Sequence, residues 1–439
     1  MNKVTLDLIG RLKAEILAAV TEAIESADGQ VLVGQMGNPG GRLDEREQSL
    51  LGLRNLVGRA MAQVCLASER GYSGTRQVCQ CGRTARYVRD DPKRYVTVVG
   101  EVELRRAEYC CSKCGAWRPL DAQWDLPQGH FTRGVVRLAA TLGGALPFER
   151  AAAVLEEVSG IAMSASQVRR LSEAVGAEIE RQQAAETEAA LSGEKVILEQ
   201  PAVLIVGLDG AHVNTREEGW KETKVAVAAA CEWQQGDNGK WELQPMAVDY
   251  AALVGRPEPF GQNAYALTQR MGGRGHECTI ALGDGAPWIW NQVSEHFPHA
   301  VQVLDFYHLA EHVHAAAKVR FADDEAKARD WAETVLALLR AEEIDTALEY
   351  LRRSGDCVQN LIGYITANQE RMPYRWLREH GYPIGSGLVE SACKQIVHTR
   401  HRQAGMRWRQ EHIQKMLNLA CCVRGKRWDE FWAQRPKVA

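Results

Sequence analysis

No apolar run in this 439-residue chain reaches the roughly 20 residues that a membrane-spanning helix needs. An integral membrane protein of helical type is thereby excluded, and no membrane partner is expected. Excess positive charge is also missing. The formal net charge is −3, so no global basicity marks a nucleic-acid partner, and only local charge can carry that case. A secretory leader is not evident either. The opening MNKVTLDLIGRLKAEILAAV carries charges throughout its apolar pattern and reads as an amphipathic helix. Apolar residues at 45% and charged residues at 25% are ordinary for a soluble globular protein, and the length suggests roughly three domains.

The twelve cysteines are then expected in a reducing cytoplasm, where clustered pairs point to metal rather than disulfides. Cys79-Gln-Cys81-Gly and Cys111-Ser-Lys-Cys114-Gly flank 29 residues that hold two strand-like runs, Tyr95–Val99 and Glu101–Ala107, joined near Gly100. Glycine after each pair lets the backbone turn so that both sulfurs face one ion. Four thiolates suit a closed, structural Zn2+ site in a zinc ribbon. The first pair is C-x-C rather than C-x-x-C, and Cys110 is an adjacent rival to Cys111.

Along the chain, residues 1–75 read as an N-terminal helical region: Leu6, Leu8, Ile9, Leu12, Ile16 and Leu17 recur at helical spacing, and the Gly/Pro-rich stretch 34–41 reads as a loop. The cysteine module spans 76–120. Residues 121–181 form helical patterns. Within them Ala151–Gly160, Ile161-Ala-Met and a Ser-led helix fit a helix-turn-helix, with Ser164 or Ser166 as cap. Gln167, Arg169 and Arg170 would face outward near the start of its second helix; an ordinary helical hairpin fits the same pattern. Residues 182–200, polar and poor in aromatics, read as a linker.

From 201 to 439 the order is three strands, a helix, a strand, a helix and a strand. That is the order of a ribonuclease-H-like α/β core. Helical patterns then run to about 380, so a helical insertion at about 315–380 separates the core from a later helix. The overall expectation is a multidomain α+β chain. Three carboxylates carry the chemistry. Asp209 in VGLDGAHV and Asp284 in IALGDGAPWIW each close an apolar run, and Glu390 in GSGLVESACK opens a helix after a Gly-Ser-Gly turn. An Asp-Gly alone is a turn signal. Together, at the mouths of strands and on a helix, such carboxylates suit two Mg2+ (or Mn2+) ions about 3.5–4 Å apart, which drive in-line attack on a phosphodiester. Lys394, four residues after Glu390, either reaches the phosphate or pairs with Glu390. His212 would point to the opposite face of the strand from Asp209, and Trp288 and Trp290 are expected to pack. His308-Leu-Ala-Glu311-His312 matches the H-x-x-E-H of zinc peptidases, without a distinct third ligand. Residues 391–439 hold 11 Lys/Arg against 3 Asp/Glu, a net of +8, and suggest a phosphate-binding face.

CQCG, CSKCG, GLDGAHV, LGDGAPWIW, DFYHLAEHV, GSGLVES and HRQAGMRW together resemble bacterial insertion-sequence transposases of the ISKra type, within the Mutator-like group of DDE transposases. The resemblance runs from about residue 75 to the C-terminus. It implies that Asp209, Asp284 and Glu390 form the catalytic, metal-binding triad and that Asp305-x-x-His308 supports it. It further implies double-stranded DNA as partner (element ends and target), a homodimer or larger assembly, and a nucleoid-associated cytoplasmic location. Arg400, Arg402, Arg407 and Arg409 would then position the phosphate backbone. A catalytically inactive, domesticated DNA-binding protein and the zinc peptidase are the rival readings.

Overall fold

A computed structural model describes residues 3–67, 69–193, 200–236, 239–273, 278–322 and 324–435, with side chains from residue 12 onward. The chain forms two compact units, Met1–Ser172 with Gln434–Ala439, and Glu173–Ala433. Among the described residues no helix is long and apolar enough to cross a membrane.

The first unit opens with α1 (Lys3–Glu25), α2 (Ala27–Gly37) and α3 (Leu43–Ala67). The expected loop at 34–41 is half wrong: α2 persists to Gly37, and the chain turns only at Asn38. The periodic Leu6, Leu8 and Ile9 have side chains outside the described residues. An antiparallel sheet follows, in the order β1 (Arg76–Val78), β2 (Thr84–Thr97), β3 (Gly100–Cys111), β4 (Gly115–Trp117). β2 and β3 are far longer than the apolar runs that announced them. β2 passes through Arg89-Asp-Asp-Pro-Lys-Arg94, a stretch too charged and too Pro-interrupted to read as a strand. Those charges are used: Asp91 accepts from both Arg106 and Arg118, Arg106 also pairs with Asp121 at 3.0 Å, and Arg118 also pairs with Glu108. Buried Tyr95, Val102 and Leu104 fill the space beneath. After α4 (Pro119–Gln123) come α5 (Arg133–Ala145), α6 (Phe148–Ser159) and the start of α7 (Ala165–Ser192), which belongs to the second unit from Glu173 on. α6 stops at Gly160, which takes the left-handed φ of +70° that glycine tolerates.

α7 runs through the first part of the linker expected at 182–200. Residues 182–192 are helical because Ala, Glu and Gln, though polar or small, are strong helix formers. Glu186 also ties this stretch to Arg270 and Arg427 at 2.9 and 2.5 Å. Residues 194–199 lie outside the described residues.

The second unit holds a five-stranded sheet in the order β7-β6-β5-β8-β9. Its strands are β5 (Val203–Thr215), β6 (Gly219–Gln235), β7 (Trp241–Val254), β8 (Thr279–Gly283) and β9 (Val301–Leu304), with α8 (Pro257–Gln269) before β8 and α9 (Pro287–His296) before β9. The element order read from the sequence is the one observed. β5, β6 and β7 are antiparallel, whereas β5, β8 and β9 are parallel. Buried β8 (TIALG) is a continuous apolar run, as expected of a parallel strand covered on both faces. α10 (Phe306–Arg320), α11 (Glu325–Arg340), α12 (Ile344–Arg352), α13 (Gln359–Asn368) and α14 (Tyr374–Glu379) follow, and their buried residues are continuous with the sheet's core. The helical insertion therefore shares that core. α15 (Gly387–Ala392), a π-helical turn (Cys393–His398), α16 (Thr399–His401), α17 (Gln410–Arg424) and α18 (Trp428–Gln434) complete the described chain.

Candidate functional site

Strand register places the acidic residues. β5 pairs with β8 up to Gly207–Leu282, and carrying the same offset two residues onward sets Asp209 opposite Asp284. β8 pairs with β9 up to Gly283–Leu304, which sets Asp284 opposite Asp305, and the Asp305 N–H donates to the Gly283 carbonyl at 2.8 Å. Three aspartates thus follow the last paired positions of neighbouring parallel strands, with Asp284 in the middle. Asp209 does not close its strand, as its sequence context suggested: β5 runs on to Thr215, paired only with β6. It is the pairing with β8 that ends before Asp209, leaving that edge open.

The fourth member arrives on α15. Gly207 and Asp209, two residues apart, face the same side of β5. A Cβ on Gly207 would meet the Val389 Cβ at 2.8 Å, so this glycine is what lets α15 lie against the sheet. From α15 and its continuation, Cys393 donates through Sγ to Asp209 Oδ2 at 3.3 Å, and the Gly210 N–H donates to Asp209 Oδ1 at 2.6 Å. Burial raises the Asp209 pKa, against the lowering effect of the Cys393 and Gly210 bonds, and the charge of Asp284 raises it further while His308 lowers it. Burial likewise pushes the Cys393 thiol up, helped by Asp209, Asp284 and Glu390. Glu390 itself is exposed and held by Lys394 at 2.6 Å, both side chains more than 60% accessible. Of the two roles open to Lys394, the pair with Glu390 is the one observed. The helix becomes π-helical just after this point, a rare irregularity frequent at functional sites.

Asp305 has a different task. Its Oδ1 accepts from the Tyr307 N–H at 2.8 Å, capping α10, and its Oδ2 accepts from Ser386 in the Gly-Ser-Gly turn. Both oxygens are engaged, and the residue is buried. It fastens α10 to the turn that launches α15. On α10, His308 and His312 place their Nε2 atoms 3.2 Å apart, and His312 stacks on Tyr364 at 4.3 Å.

The four cysteines of the first unit converge. Cys79, Cys81, Cys111 and Cys114 bring their sulfurs within 4.8 Å of one another, and they can hold a metal ion such as zinc. The Cys81–Cys111 separation is 3.6 Å, close to the edge of about 3.8 Å in a tetrahedron with 2.3 Å bonds. Gly82 and Gly115, each after a pair, take φ of +80° and +77°, the turning role read from the sequence. Cys111 is buried and Cys110 is exposed, which decides between those neighbours. Backbone amides of Lys113 and Cys114 pull the Cys111 thiol down to about 6, whereas Cys81 and burial push Cys114 up to about 12; four sulfurs this close cannot all ionise without a cation. Among the described residues this is the one group that brings three or more His, Cys, Asp or Glu ligand atoms so close together. Asp209, Asp284 and Glu390 are neighbours at longer range, and among the described residues the His308–His312 pair gathers no third ligand atom at that distance.

Residues 75–435 match the model of an uncharacterised protein family (UPF0236). The chain belongs to this family. No curated protein matches it. The UPF0236 match takes in the cysteine module and the whole of the second unit, and leaves α1 to α3 outside.

Within this UPF0236 chain the remaining site candidates fall into two groups. Arg402, Arg407 and Arg409 are exposed. Their segment is zipped onto the extension of β5, because the Trp408 N–H donates to Asn214 O at 2.9 Å and the Arg216 N–H to Trp408 O at 2.8 Å. Arg400 is instead buried, with its guanidinium 4.9 Å from the Trp408 ring, so it drops out of the phosphate-binding set: it falls on the inner face of a helix whose outer face carries Arg402. Gln167 is also reassigned. Its Oε1 accepts from the Ser164 N–H at 3.0 Å while the Gln167 N–H donates to Ser164 Oγ at 3.2 Å. That is a capping box, a Ser-x-x-Gln signature legible in the sequence. Arg169 is half-buried and Arg170 exposed. His212 is exposed on the face opposite Asp209, Trp290 is buried, and Trp288 stacks edge-on against Phe260 at 5.7 Å. Sequence reading missed Cys393 and Tyr364, which touch Asp209 and Asp284; nothing local marks either.

Proposed function

We propose that the chain is a DNA transposase that binds the ends of its element and performs metal-dependent strand cleavage and strand transfer with Asp209, Asp284 and Glu390. The observation that carries this reading is the parallel register of β5 with β8, which ends at Gly207–Leu282 just before Asp209 and Asp284, with the Glu390 helix packed against β5 through Gly207. A sheet of three antiparallel strands continued by two parallel ones supports a ribonuclease-H-like core. Two neighbouring carboxylates, one of them raised in pKa by burial and by the other, are a donor set that hard cations suit. Among the described residues no Lys or Arg pairs with Asp209 or Asp284, so the pair has no fixed counter-charge.

Asp209, Asp284 and Glu390 would hold Mg2+ or Mn2+, which supplies activation of the attacking oxygen and stabilisation of the leaving one. The chain's own residues do the rest. Cys393 and the Gly210 amide fix the Asp209 carboxylate, and Asp305 fixes the turn from which Glu390 projects. Glu390 has to leave Lys394 to join the aspartates, which frees Lys394 for a phosphate. Arg402, Arg407 and Arg409 position the DNA backbone without reading sequence. Zinc at the four cysteines is structural, with Arg169 and Arg170 on a DNA-facing helix of the first unit.

The test is strand cleavage and joining on DNA that carries the sequences flanking the reading frame. Wild type with Mg2+ should cut at the element ends, and Asp209→Ala, Asp284→Ala and Glu390→Ala should bind but not cut. Normal cutting by Asp284→Ala removes the mechanism. Binding without cutting by the wild type supports the domesticated DNA-binding protein instead.

A further inference from the structure

The helical insertion reaches the strand exits directly. Tyr364 on α13 donates its hydroxyl to the main-chain carbonyl of Asp284 at 2.6 Å. Tyr374 on α14 donates to the carbonyl of Leu304, the residue before Asp305, at 2.9 Å. The two bonds land on adjacent strands, at the last carbonyl of β9 and the first beyond β8. Around Asp284 the main chain is held from two sides. Its own Oδ1 accepts from the Ala286 N–H at 2.9 Å, and Gly285 between them has φ of +96°. A Cβ on Gly285 would stand 2.8 Å from the Tyr364 hydroxyl, so glycine is needed for the tyrosine to come this close. The Tyr364 ring is in turn fixed by stacking on His312 at 4.3 Å and 29°, and His312 meets His308.

We propose that Tyr364 is a positioning residue: the helical insertion sets the orientation of the Asp284 carboxylate through the Tyr364–Asp284 carbonyl bond. The inference rests on the reading of Asp284 as a metal-binding carboxylate. The peptide that follows Asp284 carries the carbonyl that Tyr364 holds, and the next amide along holds the Asp284 side chain. Loss of the hydroxyl therefore loosens the carboxylate through the backbone, without touching substrate. The burial of Tyr364 beside Asp284 and Asp305 raises its pKa and keeps the hydroxyl a donor.

Tyr364→Phe retains the ring and its stacking and removes only the donor. In the metal-free full-length protein, amide exchange at residues 284–286 should become several-fold faster, while exchange in β5 is unchanged. Mn2+ affinity, measured by calorimetry without DNA, should fall about five- to tenfold, and end cleavage should fall by a similar factor in kcat with DNA affinity preserved. Tyr364→Leu, which also loses the stack, should be worse on all three. Exchange and Mn2+ affinity equal to wild type in Tyr364→Phe overturn the inference. Asp284→Ala runs alongside: if it binds Mn2+ and cuts like wild type, the reading of Asp284 fails and this inference with it, whereas a defective Asp284→Ala beside a wild-type-like Tyr364→Phe removes the positioning role alone.

Discussion

Gly207→Ala is a one-methyl perturbation whose consequence can be worked through. The new Cβ would lie 2.8 Å from the Val389 Cβ and 3.2 Å from Val227 Cγ1. Carbon atoms rest at about 3.5–4.0 Å, so α15 has to withdraw by about 0.7–1.2 Å. The Val389 atom in question is a Cβ, tied to the helix backbone, so a rotamer change cannot relieve the clash. Overpacking of this kind costs about 1–3 kcal/mol, or several degrees of Tm at about 2–4 °C per kcal/mol for a unit of this size. Glu390 is the next residue and moves with Val389. A displacement near 1 Å of a group that acts on the reacting centre costs about 10²-fold in rate. Gly207→Ala should therefore fold, bind end DNA as wild type does and cleave about 10²-fold more slowly, and Gly207→Val should be more severely affected. Cleavage within twofold of wild type by Gly207→Ala, next to an inactive Asp209→Ala, would show that α15 does not set the site.

Other outcomes follow from the same geometry. Cys111→Ser with Cys114→Ser should remove about one zinc per chain by metal analysis and lower the melting temperature of the first unit, because a structural metal contributes folding free energy directly. Asp209→Asn should raise the Tm of the metal-free protein at pH 7. The native pKa of Asp209 lies above its unfolded value, so the folded state binds more protons, and stability falls as pH rises from the unfolded pKa through the native one; calorimetry across pH 4–8 should show that slope flattened in the variant. Arg402, Arg407 and Arg409 changed singly to Ala should each weaken DNA binding and reduce the salt slope by about 1, whereas Arg400→Ala should lower Tm instead, since it removes a buried stack on Trp408.

Much of this was legible in the sequence because it rests on local rules. The cysteine pairs announce themselves by spacing and by the glycines behind them, and β8 by an unbroken apolar run. The strand–helix order of the second unit follows from periodicity. What stayed hidden depends on partners distant in the chain. β2 carries Asp91 because Arg106 and Arg118 answer it from elsewhere. Asp209 looked like a strand end because the apolar pattern stops there, while the backbone pairing with β6 does not. Cys393 and Tyr364 have no motif; they matter only because α15 and the insertion fold back onto β5 and β8. Arg400 was misplaced for the opposite reason: a charge in a promising stretch was read as outward-facing, and helix geometry turned it toward the protein.

In the function proposed above, Asp209, Asp284 and Glu390 act together on divalent cations at a DNA end. Anomalous diffraction from crystals of the full-length protein with end DNA and Mn2+ tests it most directly. Manganese peaks should lie within coordination distance of Asp209 and Asp284, with Glu390 drawn away from Lys394 toward them and Asp305 still bound to Ser386. Manganese at Asp305 or at the His308–His312 pair, with Asp209 and Asp284 bare and Glu390 still on Lys394, would contradict it.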